Sequence, residues 1–146
     1  MKNLSNCLMG LVALVVMSLI SVSCTEEEFN SGDILGAWQS AYVDYKVYSD
    51  GKKVESGREE YDRQVLKFMA GGEGEYIDDL YEEYVDPMTW TLVGSKLTLD
   101  IDGNVMHFTL SSVNSETMVL KLKETDSEDG VKITSEAIYT YNRFKE

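Results

Sequence analysis

The sequence predicts an all-β fold: a small antiparallel up-and-down barrel of about eight strands. Apolar and polar side chains alternate with a period of two over much of the chain, which is typical of strands with one buried and one solvated face. Short connections with turn residues separate the alternating runs, and no long segment has a convincing helical period. A closed barrel is favoured because it leaves no open sheet edges.

The amino terminus has the organisation of a signal peptide. Lys2 is the only charged side chain before Glu26, and an apolar run of 13 residues extends from Leu8 to Ile20. This run is too short for a comfortable membrane span, which needs roughly 20 apolar residues. Residues 1–23 are therefore predicted to be a signal peptide that is absent from the mature chain.

The end of this segment contains a cysteine preceded by small residues. Leu19–Cys24 (LISVSC) resembles the lipobox of bacterial lipoproteins, although Ser21 stands where that motif usually has leucine. The resemblance implies that residues 1–23 are a lipoprotein signal peptide and that the thiol of Cys24 is acylated. Acyl chains such as palmitate would then anchor the mature protein in the lipid bilayer. The alternative is an ordinary secretory cleavage that leaves Cys24 as a free thiol.

An acidic segment follows the cysteine. Residues 24–33 are predicted to be a flexible tether, because charge-rich segments with few apolar residues cannot bury enough surface to fold. Within them, Thr25–Glu28 (TEEE) resembles the surface-export signal of many Bacteroidetes lipoproteins. The resemblance implies a protein of the cell envelope that is lipid-anchored in the outer membrane and exposed at the cell surface.

Residues 34–146 are predicted to form a single domain, since the mature chain is long enough for one core but not for two. The mature chain has 26 acidic and 12 basic side chains, a formal charge of minus 14. Such a chain repels phosphate backbones, so no nucleic-acid partner is expected. Cys7 would leave with the signal peptide and Cys24 would be acylated, so no thiol is expected to remain for a disulfide.

The first half of the domain contains predicted strands separated by turns. Ala37–Tyr48 and Tyr61–Met69 are two of them, and a weaker strand is predicted around Lys53–Ser56. Glu75–Val85 is ambiguous, because several of its apolar residues also fit one helical face. A strand at Glu75–Asp78 followed by an irregular or one-turn segment is preferred.

The second half contains five more predicted strands, of which Lys132–Phe144 is the last. Turn residues separate the other four at Gly94-Ser95, Asp102–Asn104 and Asn114-Ser115. Neighbours in sequence are therefore expected to pair as antiparallel neighbours. The alternating apolar residues of these four strands are Trp90 and Leu92; Leu97, Leu99 and Ile101; Met106, Phe108 and Leu110; and Met118, Leu120 and Leu122.

Several short motifs follow one another along the domain: Leu35–Trp38 (LGAW), Val65–Phe68 (VLKF), Thr89–Leu92 (TWTL), Ser95–Leu99 (SKLTL), Phe108–Leu110 (FTL), Met118–Lys121 (MVLK) and Tyr139–Arg143 (YTYNR). Their order and spacing, over most of residues 34–144, resemble the lipocalin-like domain of many Bacteroidetes lipoproteins. The resemblance implies a small antiparallel barrel. It also implies that Gly36 and Trp38 close one end of the barrel, with Arg143 stacked on the tryptophan as a cation–π partner.

The sequence contains no catalytic motif, and the domain is predicted not to be an enzyme. His107 is the only histidine, so a solvated strand residue is preferred over a metal ligand or a base. Asp100–Asn104 has its glycine too early for a calcium loop and lacks the distal glutamate, which favours a hairpin turn. No cofactor and no metal site are predicted. A solvated acidic rim is predicted from Asp78, Asp79, Glu82, Glu83 and Asp86.

The nine tyrosines are the better indication of function. A tyrosine ring has an apolar face and a polar hydroxyl, which suit a small ligand and a protein interface equally. One hypothesis is a cavity that binds a small apolar or amphipathic ligand and is lined by Tyr45, Trp90, Phe108 and Tyr139. The alternative is a filled barrel that serves as a scaffold and contacts a protein partner at the cell surface. Both hypotheses are compatible with an eight-stranded barrel.

Overall fold

The computed structural model describes residues 28–81 and 84–145. The predicted signal peptide, the lipidation site Cys24 and the first part of the predicted tether lie outside these residues. None of the helices in the described ranges is long and apolar enough to cross a membrane. The described chain contains a 3-10 helix at Ser31–Ile34 and nine strands: β1 (Gly36–Ser49), β2 (Lys52–Glu60), β3 (Val65–Met69), β4 (Glu73–Ile77), β5 (Asp86–Val93), β6 (Lys96–Ile101), β7 (Asn104–Val113), β8 (Thr117–Glu128) and β9 (Val131–Arg143).

Eight of these strands form a closed antiparallel barrel, which confirms the predicted fold class. Each strand from β3 to β8 pairs with the next one in sequence, and β9 pairs with β1 to close the ring. β3 pairs with the first residues of β1, from Gly36 to Gln39. β2 is the additional strand, and it pairs with the second part of β1, from Tyr42 to Ser49.

The connection between β2 and β3 differs from the prediction in two ways. These strands are neighbours in sequence but do not pair with each other, and β3 begins at Val65 rather than at Tyr61. The reason is a bulge in β1 between Ser40 and Tyr42. At this bulge the Tyr61 N–H donates to the Ala41 carbonyl and the Ser40 N–H donates to the Gln64 carbonyl, so residues 61–64 cross between two ladders.

Three hairpins turn at an Asp-Gly pair in which both residues have positive φ: Asp50-Gly51, Asp102-Gly103 and Asp129-Gly130. Two positive φ angles give a turn whose twist matches that of the flanking strands. The third pair joins β8 and β9. Both strands continue to this turn, so β8 includes the polar residues 124–128, which the alternating pattern did not reveal.

The interior of the barrel is filled by side chains. The Phe68 and Trp90 rings meet edge to face with their centroids 5.4 Å apart, and Trp38 is fully buried at one end. Interdigitated packing of this kind is what gives a small barrel its stability. The core consists of Ile34, Trp38, Leu66, Phe68, Met88, Trp90, Leu97, Leu99, Ile101, Phe108, Leu110, Met118, Leu120 and Tyr141.

Three strands of the barrel continue beyond its other strands, and β2 is added to them. The pairing of β1 with β3 ends at Gln39, and the pairing of β7 with β8 ends at Thr109 and Lys121. Past these points four strands form a sheet in the order β2 (residues 52–60), β1 (42–49), β9 (131–139) and β8 (122–128). We call this sheet the extension. It stands at the end of the barrel opposite Trp38.

Close packing at Gly74 provides a test of the core. A Cβ atom at this position would lie 2.7 Å from Cε of Met88 and closer still to the carbonyl oxygen of Lys67. Gly74→Ala is therefore expected to lower the free energy of unfolding, measured by urea denaturation, by about 1–3 kcal/mol. The control is Gly32→Ala, where a Cβ meets no atom within 4 Å. Equal effects of the two substitutions would contradict the packing described here.

Candidate functional site

The two ends of the barrel differ, and one of them is closed by Trp38 and Arg143. The Arg143 guanidinium carbon lies 3.7 Å from the centroid of the Trp38 ring. The same guanidinium donates hydrogen bonds to the carbonyls of Leu35 (2.6 Å) and Ser115 (3.2 Å). Gly36 has φ +109°, and a Cβ there would lie 2.7 Å from Nη1 of Arg143. The structure thus places the three residues of the expected end closure together.

The opposite end contains a series of polar side chains that are joined by hydrogen bonds. The Tyr141 hydroxyl donates to Oε1 of Gln64 (2.8 Å), and Nε2 of Gln64 donates to the Tyr76 hydroxyl (2.9 Å). The Tyr76 hydroxyl in turn donates to Oδ1 of Asp78 (2.8 Å), which the Tyr61 hydroxyl also approaches (3.4 Å). Burial raises the pKa of Tyr141 and of Tyr76 far above the usual value. This polar layer covers the core on the side of the extension.

Beyond this layer, the register of the extension determines which side chains share a face. Tyr139 is paired with Val43 and Leu120, and Ala137 is paired with Tyr45 and Leu122. Paired residues point to the same side of a sheet. Because Leu120 lies in the core, this side is the one that continues the barrel interior. We call it the inner face; its apolar residues are Val43, Tyr45, Val47, Leu122, Val131, Ile133, Ala137 and Tyr139.

These apolar side chains of the inner face are half-buried. The Tyr139 ring packs edge to face on Phe108, with centroids 6.0 Å apart. The Tyr45 ring crosses Gly57 of β2, where an added Cβ would lie 2.6 Å from the Tyr45 hydroxyl oxygen. The absence of a side chain at Gly57 therefore lets the tyrosine lie against the sheet. The apolar residues of the inner face thus form a continuous surface at the open end of the barrel. We call this surface the floor.

The four candidate ligand residues do not line one space. Tyr45 and Tyr139 lie on the inner face, whereas Trp90 and Phe108 are core residues. The Trp90 indole N–H donates to the backbone carbonyls of Glu73 (2.7 Å) and Met69 (3.2 Å). These hydrogen bonds fix the ring inside the barrel. The Phe108 ring contacts the Tyr139 ring of the inner face.

Sequence reasoning missed most of the floor. Alternation along β1 could have placed Val43 and Val47 on the same side as Tyr45. Leu122 could have been placed in the same way, because it alternates with Leu120 along the predicted strand. No comparable signal was available for Ile133 and Ala137. Their strand continues into the polar residues around Asp129-Gly130, where the sequence shows no regular alternation.

The polar candidates occupy surface positions. His107 is exposed, and its Nδ1 lies 3.2 Å from the Thr98 hydroxyl. Asp100 accepts a hydrogen bond from the Gly103 N–H within the hairpin between β6 and β7 (2.9 Å). In the predicted acidic rim, Asp79 forms an ion pair with Arg63 (3.0 Å), and Glu82 and Glu83 lie outside the described residues. Residues 28–81 and 84–145 contain no group of three or more His, Cys, Asp or Glu side chains arranged for a metal ion.

Comparison with known proteins does not assign a family. The chain matches no protein-family profile and no curated protein. Among solved structures it is similar to a polyisoprenoid-binding domain from Saccharophagus degradans implicated in plant cell wall breakdown. The identity is 10%, the TM-score is 0.36, and the match covers 75% of this chain and 99% of that chain. A likeness this distant supports no inference about ligand or family, so function must be argued from the geometry.

The buried tyrosine provides a test of the polar layer. The raised pKa of Tyr141 means that the folded chain keeps a proton which the unfolded chain loses above its usual pKa of 10. Stability is therefore complete below that pH and falls as the pH rises above it, by about 1.4 kcal/mol per pH unit for one such group. Urea denaturation at several pH values from about 9 to 11 measures this slope.

The control for this measurement is Tyr141→Phe. This variant loses the hydrogen bond to Gln64 and is expected to be about 1 kcal/mol less stable at neutral pH. Above pH 10 its stability is expected to fall less steeply than that of the unchanged protein, because one titrating group is gone. Identical slopes for the two proteins would contradict the burial of this hydroxyl.

Proposed function

We propose that this protein is a lipid-anchored lipoprotein of the cell envelope that binds a small apolar or amphipathic ligand and is not an enzyme. The observation that supports binding is the apolar floor on the inner face of the extension. The barrel interior beneath it is filled, so the ligand rests on the core instead of entering it. In this proposal Tyr45 and Tyr139 remain ligand contacts. Trp90 and Phe108 do not contact the ligand and belong to the core beneath the floor.

Energetics favour an occupant for this floor. Three strands of the barrel, β1, β8 and β9, continue into the extension and are joined there by β2. In the described residues, no second sheet packs over the inner face of the extension. Covering about 200 Å² of apolar surface there would contribute about 5 kcal/mol before the costs of association. The polar layer from Tyr141 to Asp78 lies at the base of the floor. Tyr141 is buried, and the exposed carboxylate of Asp78 offers a polar contact to one end of an amphipathic ligand.

The course of the chain near residue 29 supports the anchoring part of the proposal. The Phe29 N–H donates to the Gly94 carbonyl (3.2 Å), in the turn between β5 and β6 at the closed end of the barrel. The five residues from Cys24 to Phe29 can span at most about 18 Å. An acylated Cys24 would therefore hold the closed end near the bilayer and leave the inner face at the far end of the molecule, open to the surrounding medium.

A second function, binding of a protein partner, is favoured by the loop between β4 and β5. Tyr81, Tyr84 and Val85 are 79%, 68% and 48% exposed. Exposed aromatic residues are enriched at protein interfaces. Arg63 lies 4.9 Å from the Tyr81 ring and could present it in a defined orientation. This surface lies outside the floor and does not require the floor to be occupied.

Ligand binding can be tested with a neutral apolar fluorescent probe, N-phenyl-naphthylamine, added to the full chain. We expect saturable binding with enhanced fluorescence. Ala137→Gln places an amide on the floor and is expected to weaken binding about tenfold, because the amide must lose water when the probe covers it. The matched control is Ile138→Gln, the next residue of β9, whose side chain lies on the opposite face. Equal effects at both positions, or no binding, would reject the floor and favour the protein-partner function.

Anchoring can be tested by Cys24→Ser in a bacterial host that lipidates lipoproteins. The full chain is expected to incorporate labelled palmitate and to sediment with membranes, because several acyl chains together give stable anchoring. The variant is expected to incorporate none and to be released. Ser23→Ala, which keeps a small residue before the cysteine, should behave as the unchanged protein. Membrane association that survives Cys24→Ser would exclude the lipoprotein assignment.

A further inference from the structure

The charged residues of the extension are divided between its two faces. The register that places Val43 and Tyr139 on the inner face also places there five carboxylates and one lysine: Glu55, Glu59, Glu124, Asp126, Glu128 and Lys52. The opposite, outer face has five basic residues and three acidic ones: Lys46, Lys53, Arg58, Lys123, Lys132, Asp44, Glu60 and Glu136. One sheet therefore has an acidic side and a basic side.

Acidic residues of the outer face are engaged within the protein. Asp44 pairs with Arg58 at 2.7 Å, and Glu136 approaches Lys123 at 3.8 Å. The Arg58 guanidinium also lies 4.0 Å from the Tyr42 ring. These contacts agree with the register and leave little of the outer face's negative charge uncompensated.

Four of the five inner carboxylates have no such partners. Among residues 28–81 and 84–145, no ion pair involves Glu55, Glu59, Glu124 or Asp126. The charge of Glu124 is close enough to the floor to raise the pKa of Tyr139, in addition to the larger effect of burial. Negative charge thus borders the apolar surface directly.

These carboxylates lie along two edges of the floor. Glu55 and Glu59 belong to β2, and Glu124, Asp126 and Glu128 belong to β8, whereas the apolar residues between them belong mainly to β1 and β9. Three strand spacings separate the two edges, about 14 Å. Glu124, Asp126 and Glu128 also line a groove of about 610 Å³ together with Ile133 and Ser135. This groove lies on the inner face near the turn between β8 and β9.

We propose that the ligand of the inner face is a cationic amphiphile. Its apolar part covers the floor around Tyr45 and Ala137, and its ammonium or guanidinium groups lie between the carboxylates of β2 and β8. A cation here relieves the mutual repulsion of these carboxylates, and its attraction is strengthened by the adjacent apolar surface. An anionic amphiphile such as a fatty acid would meet repulsion from both edges. This inference rests on the proposed function, because it assigns the charge of the ligand that the floor binds.

The test compares three probes with the same alkyl chain, each below its critical micelle concentration: dodecyltrimethylammonium, the neutral dodecyl maltoside, and tridecanoate. Binding to the full chain is measured by isothermal titration calorimetry at low and at high salt. The ammonium probe is expected to bind about tenfold more tightly than the maltoside at low salt, and tridecanoate most weakly. High salt should reduce this preference and leave the maltoside unaffected.

Two variants with equal changes in net charge separate a local effect from a global one. Glu55→Gln/Glu59→Gln/Glu124→Gln neutralises the edges of the floor, and we expect the preference for the ammonium probe to fall to about twofold or less. Glu73→Gln/Asp102→Asn/Glu116→Gln neutralises three carboxylates elsewhere on the barrel and should keep the preference. Retained binding of the maltoside shows that the floor of each variant is intact; Glu124→Gln alone serves if the triple variant does not fold.

The outcomes distinguish the inference from the function on which it rests. If all three probes bind with similar affinity and the floor substitution Ala137→Gln still weakens them, ligand binding stands and the cationic preference is wrong. If the two triple variants lose the preference equally, the attraction comes from net charge and the inference is also wrong. If no probe binds, the proposed function itself fails.

Discussion

The pairing of β1 with β9 is the constraint on which the rest of the structure depends. The ladder begins with Trp38 opposite Arg143 and ends with Ser49 opposite Ile133, and it joins the two ends of the domain into a closed ring. Its first pair also sets the Arg143 guanidinium over the Trp38 ring and closes one end of the barrel. Its last pairs form the centre of the extension. Closure, core and floor are therefore consequences of one long register.

The edge of β1 that does not pair with β9 explains why the two ends of the barrel differ. This edge pairs first with β3 and then with β2, and the bulge between Ser40 and Tyr42 marks the change of partner. Between the bulge and the Trp38 end, side chains face one another across a closed barrel and fill it. On the other side of the bulge, only the strands of the extension continue, so the side chains of its inner face point into open space. The Tyr141 hydroxyl and its partner Gln64 lie at this transition and satisfy the polar groups there.

Much of the fold could be predicted from the sequence, and the site could be predicted only in part. Residues such as Trp90, Leu99 and Leu110 alternate with polar neighbours, so their strands were predicted, and their Gly- and Asn-containing turns fixed the hairpins. β2 is exposed along its whole length, so its sequence contains almost no alternation to detect. The division of charge between the faces of the extension was equally hidden. Alternation along β8 puts Lys123 and Glu124 on opposite faces, but only the strand pairing shows that Glu124 shares its face with Glu55 and Glu59.

The sequence by itself determined the local features of this protein: alternating strands, Asp-Gly hairpins and an antiparallel order, together with a predicted lipoprotein signal at Leu19–Cys24. These features depend on residues a few positions apart. Only the tertiary structure decided that Trp90 and Phe108 fill the core while Tyr45 and Tyr139 face the open end. The depth of a side chain in a barrel is set by the stagger between strands. Here that stagger is set by β1 and β9, which lie at opposite ends of the domain and whose register no local pattern encodes.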